Sequence, residues 1–323
     1  MSTRFLICGS FSEQTYVLDV DTGSVIQINT LPKKGARHTI QLSDSHAMTT
    51  CDDGKLYLWN VLTGIMEGSI DTGIARLQFG LINLKPPASC LVGAGGNGDF
   101  SIRLVDPLAS DETDALRATL SGHTRGVFAF EQPVLRPEVL ISSALYETCK
   151  VWDLETQTLL KTLVLGNLGG RAMCCDDVNQ VLYVGRHIDG RVMTWDLRML
   201  ENIGGVLASK WSRSRCVDVL RFRQSKHQLV IPYYHGTIRV VDTRFPGSVL
   251  YKWNAHSAYS RVFGLCDVPD SDTLVTTAFR DDQSVQAWRY DGTKVWGWAL
   301  KGGICQVTQF VADSCGDLGV VES

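Results

Sequence analysis

Short runs in which apolar and polar residues alternate at period two recur along the whole chain. Seven of them share one layout: SEQTYVLD (12–19), DGKLYLWN (53–60), DFSIRLVD (99–106), YETCKVWD (146–153), DGRVMTWD (189–196), HGTIRVVD (235–242) and DQSVQAWR (282–289). Each opens in a turn-prone pair and closes on a branched or aromatic residue followed by a polar one. Alternation of this kind puts one set of side chains on each face of a strand. The closing apolar position is Leu18, Trp59, Val105, Trp152, Trp195, Val241 and Trp288, with intervals of 41, 46, 47, 43, 46 and 47 and a mean of 45 residues. A regular period of that size marks a repeat architecture in which each unit buries its apolar face against the next.

Between the seven runs lie further short apolar segments, such as TLLKTLVL (158–165), RVFGLCDV (261–268) and TLVTTAF (273–279). They bring each repeat to four strands, and no long segment carries a helical period. The first unit lacks one strand. The C-terminal run ICQVTQFVA (304–312) has the pattern to supply it. A ring closed by its two ends removes its own exposed sheet edges. The whole chain, 1–323, therefore reads as one all-β domain, with no place assigned to the tail 315–323.

The pairs Trp152-Asp153 and Trp195-Asp196, with SGH at 121–123 and AHS at 255–257, resemble the WD-repeat family of β-propellers. The resemblance implies a seven-bladed propeller of four-stranded antiparallel blades, its first blade shared by the two termini. In that family a His, a Ser or Thr, a turn Asp and the Trp form a hydrogen-bonded set that stiffens a blade. Carried over, the last repeat offers His256, Thr277, Asp282 and Trp288. The fourth offers His123, Ser142 and Trp152, with Tyr146 where the Asp belongs. Asp53, Asp99 and Asp189 stand at the turn position of repeats that lack an upstream Gly-His. The resemblance implies a protein-interaction scaffold or complex subunit. G-x-S-x-G, H-E-x-x-H and G-x-x-x-x-G-K-S/T are absent, so the chain is read as a non-enzyme, with an enzyme or small-ligand binder at the central channel as the outside alternative.

Composition narrows the field. Thirty-one basic against 34 acidic residues leave a net charge of −3, which does not point to a polyanion as the main partner. The 10 cysteines are dispersed, without a C-x-x-C or zinc-ligand spacing, and there is no glycosylation sequon. The apolar run at the N-terminus is too short for a signal peptide, and no stretch approaches the roughly 20 apolar residues of a membrane span. The expectation is a reducing intracellular compartment, cytoplasmic or nuclear, with no cofactor, no metal, no membrane insertion and no strong sign of a homo-oligomer.

Four local signals invite a sharper reading. GAGGNG (93–98) satisfies the dinucleotide fingerprint, but it lies between two strands. No helix N-terminus is there to meet a pyrophosphate, so the glycines are expected in a turn with positive φ. The basic segment 210–226 carries Lys210, Arg213, Arg215, Arg221, Arg223 and Lys226 beside Trp211. Arg221 and Arg223 alternate with Leu220 and Phe222, which places them toward solvent and makes a nucleic-acid patch the weaker reading. WDLR (195–198) and VDTR (241–244) look like the W-D-x-R signature of substrate receptors of cullin–RING ubiquitin ligases. That resemblance makes Asp196, Arg198, Asp242 and Arg244 candidate contacts for a ligase adaptor. The bland alternative is a local ion pair in a turn. Tyr233, Tyr234, Trp253, Tyr259, Trp296 and Trp298 are either rim anchors for a partner or filler between blades.

Overall fold

The structure is a computed structural model. It describes residues 3–312 apart from 33–34, 86–91, 97, 110–111, 146–147, 166–168, 188, 205–216, 218, 246–247, 269–270, 280 and 301–303. Tyr146, residues 210–216 of the basic segment and the tail 315–323 lie outside the described residues.

Among the described residues the strands form seven four-stranded antiparallel sheets, the blades of one ring. Blade 1 takes Ile304–Ala312 as its innermost strand, followed outward by Thr3–Ser10, Gln14–Asp19 and Val25–Thr30. Blades 2 to 7 span 39–71, 77–120, 127–163, 170–202, 221–254 and 261–299. The terminal strands pair antiparallel from Thr3↔Ala312 to Ser10↔Ile304, as the pattern of 304–312 predicts. Among the described residues one short α-helix, Glu112–Ala115, precedes the outer strand of blade 3, and a 3-10 turn, Gln224–Lys226, follows the innermost strand of blade 6.

Burial explains why a sequence with modest hydropathy makes so many strands. Inner strands are packed on both faces: every residue of Val139–Ala144 is buried. Outer strands face water on one side, so Thr158–Leu163 is largely exposed. The core is divided into inter-blade clusters, and the seven signature positions fall one to a cluster. Leu18 lies between blades 7 and 1, Trp59 between 1 and 2, Val105 between 2 and 3, and Trp152 between 3 and 4. Trp195, Val241 and Trp288 continue the series around the ring. The repeat period is thus the period of blade-on-blade packing. Adjacent Cys174 and Cys175 show the alternation at one point: the first packs between blades 5 and 6, the second toward blade 4.

Two expectations change here. Gly93 and Gly95 do not sit in a turn; they lie inside the strand Val92–Gly96, and the positive φ (60°) nearby belongs to Phe100. What Gly95 supplies is closeness. A Cβ there would stand 2.7 Å from the Val127 carbonyl of the next blade. Arg221 is exposed, as the alternation predicts, but Arg223 is not: their strand is the innermost of blade 6 and Arg223 meets blade 7. The Arg223 side chain is 11% exposed, paired with Asp272 at 2.9 Å and lying 3.4 Å over the Tyr290 ring.

Trp296 and Trp298 act as filler and clasp rather than as rim anchors. Their indole N–H groups donate to the Val20 and Thr22 carbonyls of blade 1, at 3.3 and 3.1 Å. Thr308 of the closing strand donates to the Thr39 carbonyl of blade 2 at 2.6 Å. Tyr233 is buried, whereas Tyr259 is 69% exposed.

Candidate partner-binding site

Antiparallel blades send their turns alternately to two faces of the ring. Turns between second and third strands, together with the blade-to-blade connections, form the upper face. Turns between first and second, and between third and fourth strands, form the lower face. The hydrogen-bonded sets belong to the upper face, and the W-D-x-R arginines to the lower.

In blade 7, His256 Nε2 lies 2.8 Å from Thr276 Oγ1, and the Trp288 indole donates to the same oxygen at 3.1 Å. His256 Nδ1 meets Asp282 Oδ2 at 3.1 Å, and Asp282 accepts from the Ser257 backbone N–H at 3.0 Å. Burial opposes ionisation of Asp282, but hydrogen bonds from His256 and Ser284 outweigh it and hold the carboxyl well below its ordinary range. The hydroxyl is therefore Thr276's and not Thr277's, whose buried Oγ1 has no hydrogen-bond partner. The reason is the period of the strand. Trp288 pairs with Leu274, and the residue two further on shares its face. Blade 4 obeys the same rule: Trp152 pairs with Leu140, and Ser142 Oγ accepts from Trp152 Nε1 and meets His123 Nε2, both at 2.7 Å. Blade 2 carries a variant that the sequence reading passed over. Trp59 donates to Thr49 at 2.9 Å, and Thr39 takes the place of the histidine at 2.8 Å. The register of Trp59 on Ala47 is the signal that would have found it.

The other turn aspartates hold their hairpins in different ways. Asp53 accepts from Tyr57 Oη at 2.7 Å, and Asp99 from Arg103 at 2.6 Å. Asp189 pairs with Arg186 at 3.0 Å. These contacts make the upper turns rigid supports rather than reactive groups.

Inside this rigid frame the upper mouth of the channel gathers aromatic rings and guanidinium groups. Phe11 of blade 1 stacks on Phe279 of blade 7 (centroids 4.2 Å) and lies 6.0 Å from Phe263. Arg37 of blade 2 lies 4.7 Å over Phe11 and is held by Asp52 through two bonds of 2.7 and 2.6 Å. Arg261 lies 4.9 Å over Phe263. Arg171 of blade 5 is 8% exposed, and its guanidinium carbon sits 4.5 Å from the Phe128 ring of blade 4 and 5.2 Å from Phe263 of blade 7. Sequence reading missed this set because its members come from five separate blades and share no motif.

The mouth opens on a cavity of about 180 Å³ whose lining includes His38, Glu131, Arg171, Met173, Arg221 and Phe263. Burial raises the Glu131 carboxyl to about 7; the charge of Arg221 works against this and that of Asp177 with it. The thiols of Cys174 and Cys175 are pushed up by burial and by the Glu131 charge beside them. They are neutral thiols, the wrong state for a nucleophile. Among the described residues no group of three His, Cys, Asp or Glu side chains is placed to hold a metal ion.

On the lower face Arg198 and Arg244 occupy equivalent turns of neighbouring blades 5 and 6. Arg198 folds back on Asp196, with Nε 3.0 Å from Oδ1 and a second, shorter bond from Nη2 to Oδ2. Arg244 grips Asp242 in the same way, at 3.0 and 2.7 Å. In both turns the Asp also accepts the Arg backbone N–H, at 2.8 and 2.9 Å. The arginine bonds hold both carboxyls below the usual range, that of Asp242 at about 2. The arginine side chains remain 67% and 57% exposed. The local ion pair of the bland reading is present, and it presents each guanidinium to solvent in a fixed pose.

No protein-family model matches the chain. Among curated proteins it is similar to "Ribosome biogenesis protein YTM1" of Ajellomyces capsulatus, with 31% identity over 118 residues, 36% of this chain and 23% of that protein. It is 22% identical over 236 residues to "Guanine nucleotide-binding protein subunit beta-1" of Nicotiana tabacum, covering 71% of this chain and 58% of that one. It is 27% identical over 177 residues to "Autophagy-related protein 16" of Arabidopsis thaliana, covering 54% and 33%. The chain thus spans between 23% and 58% of the length of these relatives. Among solved structures, the computationally designed Ika8 protein shares the fold with a TM-score of 0.67, at 20% identity over 94% of this chain and 86% of that one. Seven blades closed by the terminal strands, Trp–hydroxyl–His sets in blades 4 and 7, and these relatives together support a WD-repeat β-propeller.

Proposed function

We propose that this protein is a non-catalytic interaction scaffold, a subunit of a larger assembly that engages a partner protein at the upper mouth of its ring. The observation that carries this is the convergence of Phe11, Arg37, Phe128, Arg171, Phe263 and Phe279 from five blades on one opening. Aromatic and arginine side chains on a rigid frame are the residue types that dominate binding energy at protein interfaces. Cys8, Cys174 and Cys175 stand as thiols rather than disulfides, which suits a reducing compartment, cytoplasm or nucleus. The test is affinity capture of the tagged full chain from cells, read by mass spectrometry, beside a Phe11→Ala/Phe279→Ala variant. Loss of a defined partner set in that variant, with its melting curve preserved, is the expected result. An unchanged partner set refutes the mouth as the binding site.

A second reading rests on the lower face: a substrate receptor of a cullin–RING ubiquitin ligase, docked through Arg198 and Arg244. Two clamped, exposed guanidinium groups on neighbouring blades favour it. The same capture with Arg198→Asp decides it. Selective loss of a ligase adaptor supports the reading, and a partner list without ligase components removes it.

A further inference from the structure

We propose that the lower face carries a second docking site, a cleft between blades 2 and 3 that takes a segment of a partner protein in which a bulky apolar side chain stands close to a Lys or Arg. This goes beyond the mouth reading and does not depend on it.

The cleft arises because blade 3 is built differently from the others. In the other six blades four to six residues join the third strand to the fourth; in blade 3 ten residues, 106–115, lie between Val105 and Leu116. The extra chain leans on blade 2. Helix Glu112–Ala115 packs against the outer strand of that blade, Met66–Asp71, and Ala109 and Ala115 join the apolar cluster between the two blades. The insertion thus forms a lip on one face of the ring, where repeat proteins place their binding loops. The lip and the lower turn of blade 2 share a cavity of about 380 Å³. Leu42, Leu58 and Leu84 give it apolar walls, and Leu108 of the lip continues them outward at 75% exposure. Apolar surface therefore runs without a break from the inter-blade core to water.

The polar lining consists of acceptors held in place. Glu67 Oε2 meets His46 Nε2 at 2.8 Å, and His46 Nδ1 faces the Ser45 hydroxyl at 2.8 Å. A neutral imidazole satisfies both contacts, donating to Glu67 and accepting from Ser45. Asn83 donates its amide N–H to the Gln41 carbonyl at 3.1 Å. Among the described residues, Glu67 Oε1 and Asn83 Oδ1 have no hydrogen-bond partner within the chain.

Charge points the same way. Glu67 and its neighbour in the lower turn, Asp44, carry −2 with His46 neutral and −1 with it protonated. The lip, 106–115, holds four acidic residues and no basic one. Arg117 beside it is paired with Asp106 at 2.8 Å, and the charge of Lys85, next to Leu84, acts on Glu131. A cationic group fits this rim. The side chains of His46 and Glu67 are 31% and 39% exposed. A small-molecule site buries roughly 70–90% of its ligand, which a rim this wet does not do, so the occupant belongs to a larger surface. A lone lysine would leave the leucines uncovered, and a lone apolar side chain would leave the carboxylate unmet. An apolar and a basic residue together answer both.

The test uses the full chain. A random linear peptide library is depleted on the Leu108→Asp/Glu67→Lys variant and then selected on wild type, and the best peptide is labelled for fluorescence anisotropy. Neither side chain is buried, so the variant is expected to keep the wild-type melting curve; Glu67→Lys alone replaces it otherwise. The expected peptides share a Leu, Ile, Met or Phe within two residues of a Lys or Arg. Changing that apolar residue to Ala weakens binding about tenfold or more. Glu67→Gln weakens it about two- to fivefold, as loss of a partly exposed ion pair does. Adding Gln at the basic position of the peptide then costs little more, the signature of a direct pair. Binding survives in the Phe11→Ala/Phe279→Ala variant.

Several outcomes overturn the proposal: no peptide selected, selected peptides without the basic residue, unchanged affinity in Glu67→Gln, or loss of binding in Phe11→Ala/Phe279→Ala, which would place the peptide at the mouth. A wild-type chain that is dimeric in light scattering and monomeric as Leu108→Asp overturns it too, because the occupant is then a second copy of the chain. If the peptide results fail while Phe11→Ala/Phe279→Ala loses its cellular partners, the mouth reading stands and only the lower cleft falls. If that variant keeps its partners and the peptide results hold, the mouth reading falls and the cleft stands.

Discussion

Replacing Thr276 by Val leaves the shape of the side chain almost unchanged and removes one oxygen. That oxygen is buried and serves both His256 Nε2 at 2.8 Å and Trp288 Nε1 at 3.1 Å. Thr276 is fully buried, and His256 and Trp288 are 6% and 7% exposed, so water does not readily take its place. Two buried polar atoms lose their partner, each at about 1–3 kcal/mol, for a total of about 2–6 kcal/mol. With an unfolding entropy of about 2.1 cal/mol/K per residue, a chain of this length has roughly 0.7 kcal/mol/K in all, which converts the loss to about 3–9 °C in Tm. Thr277→Val is the matched control. Its hydroxyl is equally buried but has no hydrogen-bond partner, so its removal is neutral to mildly stabilising. Both variants are compared with wild type by urea unfolding followed through tryptophan fluorescence, with calorimetry for Tm. Equal losses in the two variants, or a Thr276→Val loss below about 0.5 kcal/mol, would refute the reasoning that strand register decides which hydroxyl the tryptophan finds.

Gly95→Val drives a side chain toward the Val127 carbonyl 2.7 Å from the Cβ position, and is expected to cost about 1–3 kcal/mol in urea unfolding by separating blades 3 and 4. Deleting 304–312 removes the strand paired with Thr3–Ser10 and leaves an open edge; size-exclusion chromatography should show aggregation in place of a monomeric peak. Glu131 has a folded-state carboxyl near 7 against an ordinary 4.5, so the native state holds its proton more tightly than the unfolded chain does. Its contribution is present below 4.5 and is lost as pH rises through about 7. The urea midpoint of wild type relative to Glu131→Gln should fall across that window, and parallel profiles would show that Glu131 does not titrate there.

The ring was legible in the sequence because each blade repeats one short-range pattern. Alternation at period two is local, the spacing of Trp59, Trp152, Trp195 and Trp288 is countable, and closure by 304–312 follows from a missing strand. Local chemistry at a turn was legible too, since Asp196 with Arg198 and Asp242 with Arg244 are two residues apart. Register was not. The family resemblance pointed to Thr277, but Trp288 pairs with Leu274, so Thr276 shares its face, and a change of one residue turns a strand side chain to the other face. The glycines of 93–98 misled in a similar way: a Gly-rich string reads as a turn, while its real constraint is a carbonyl on the next blade. The mouth was beyond sequence altogether. Phe11, Arg37, Phe128, Arg171 and Phe263 lie far apart along the chain and carry no shared motif. Only the closing of seven sheets around one axis turns the upper ends of their inner strands toward a common point, and that geometry is a property of the ring rather than of any blade within it.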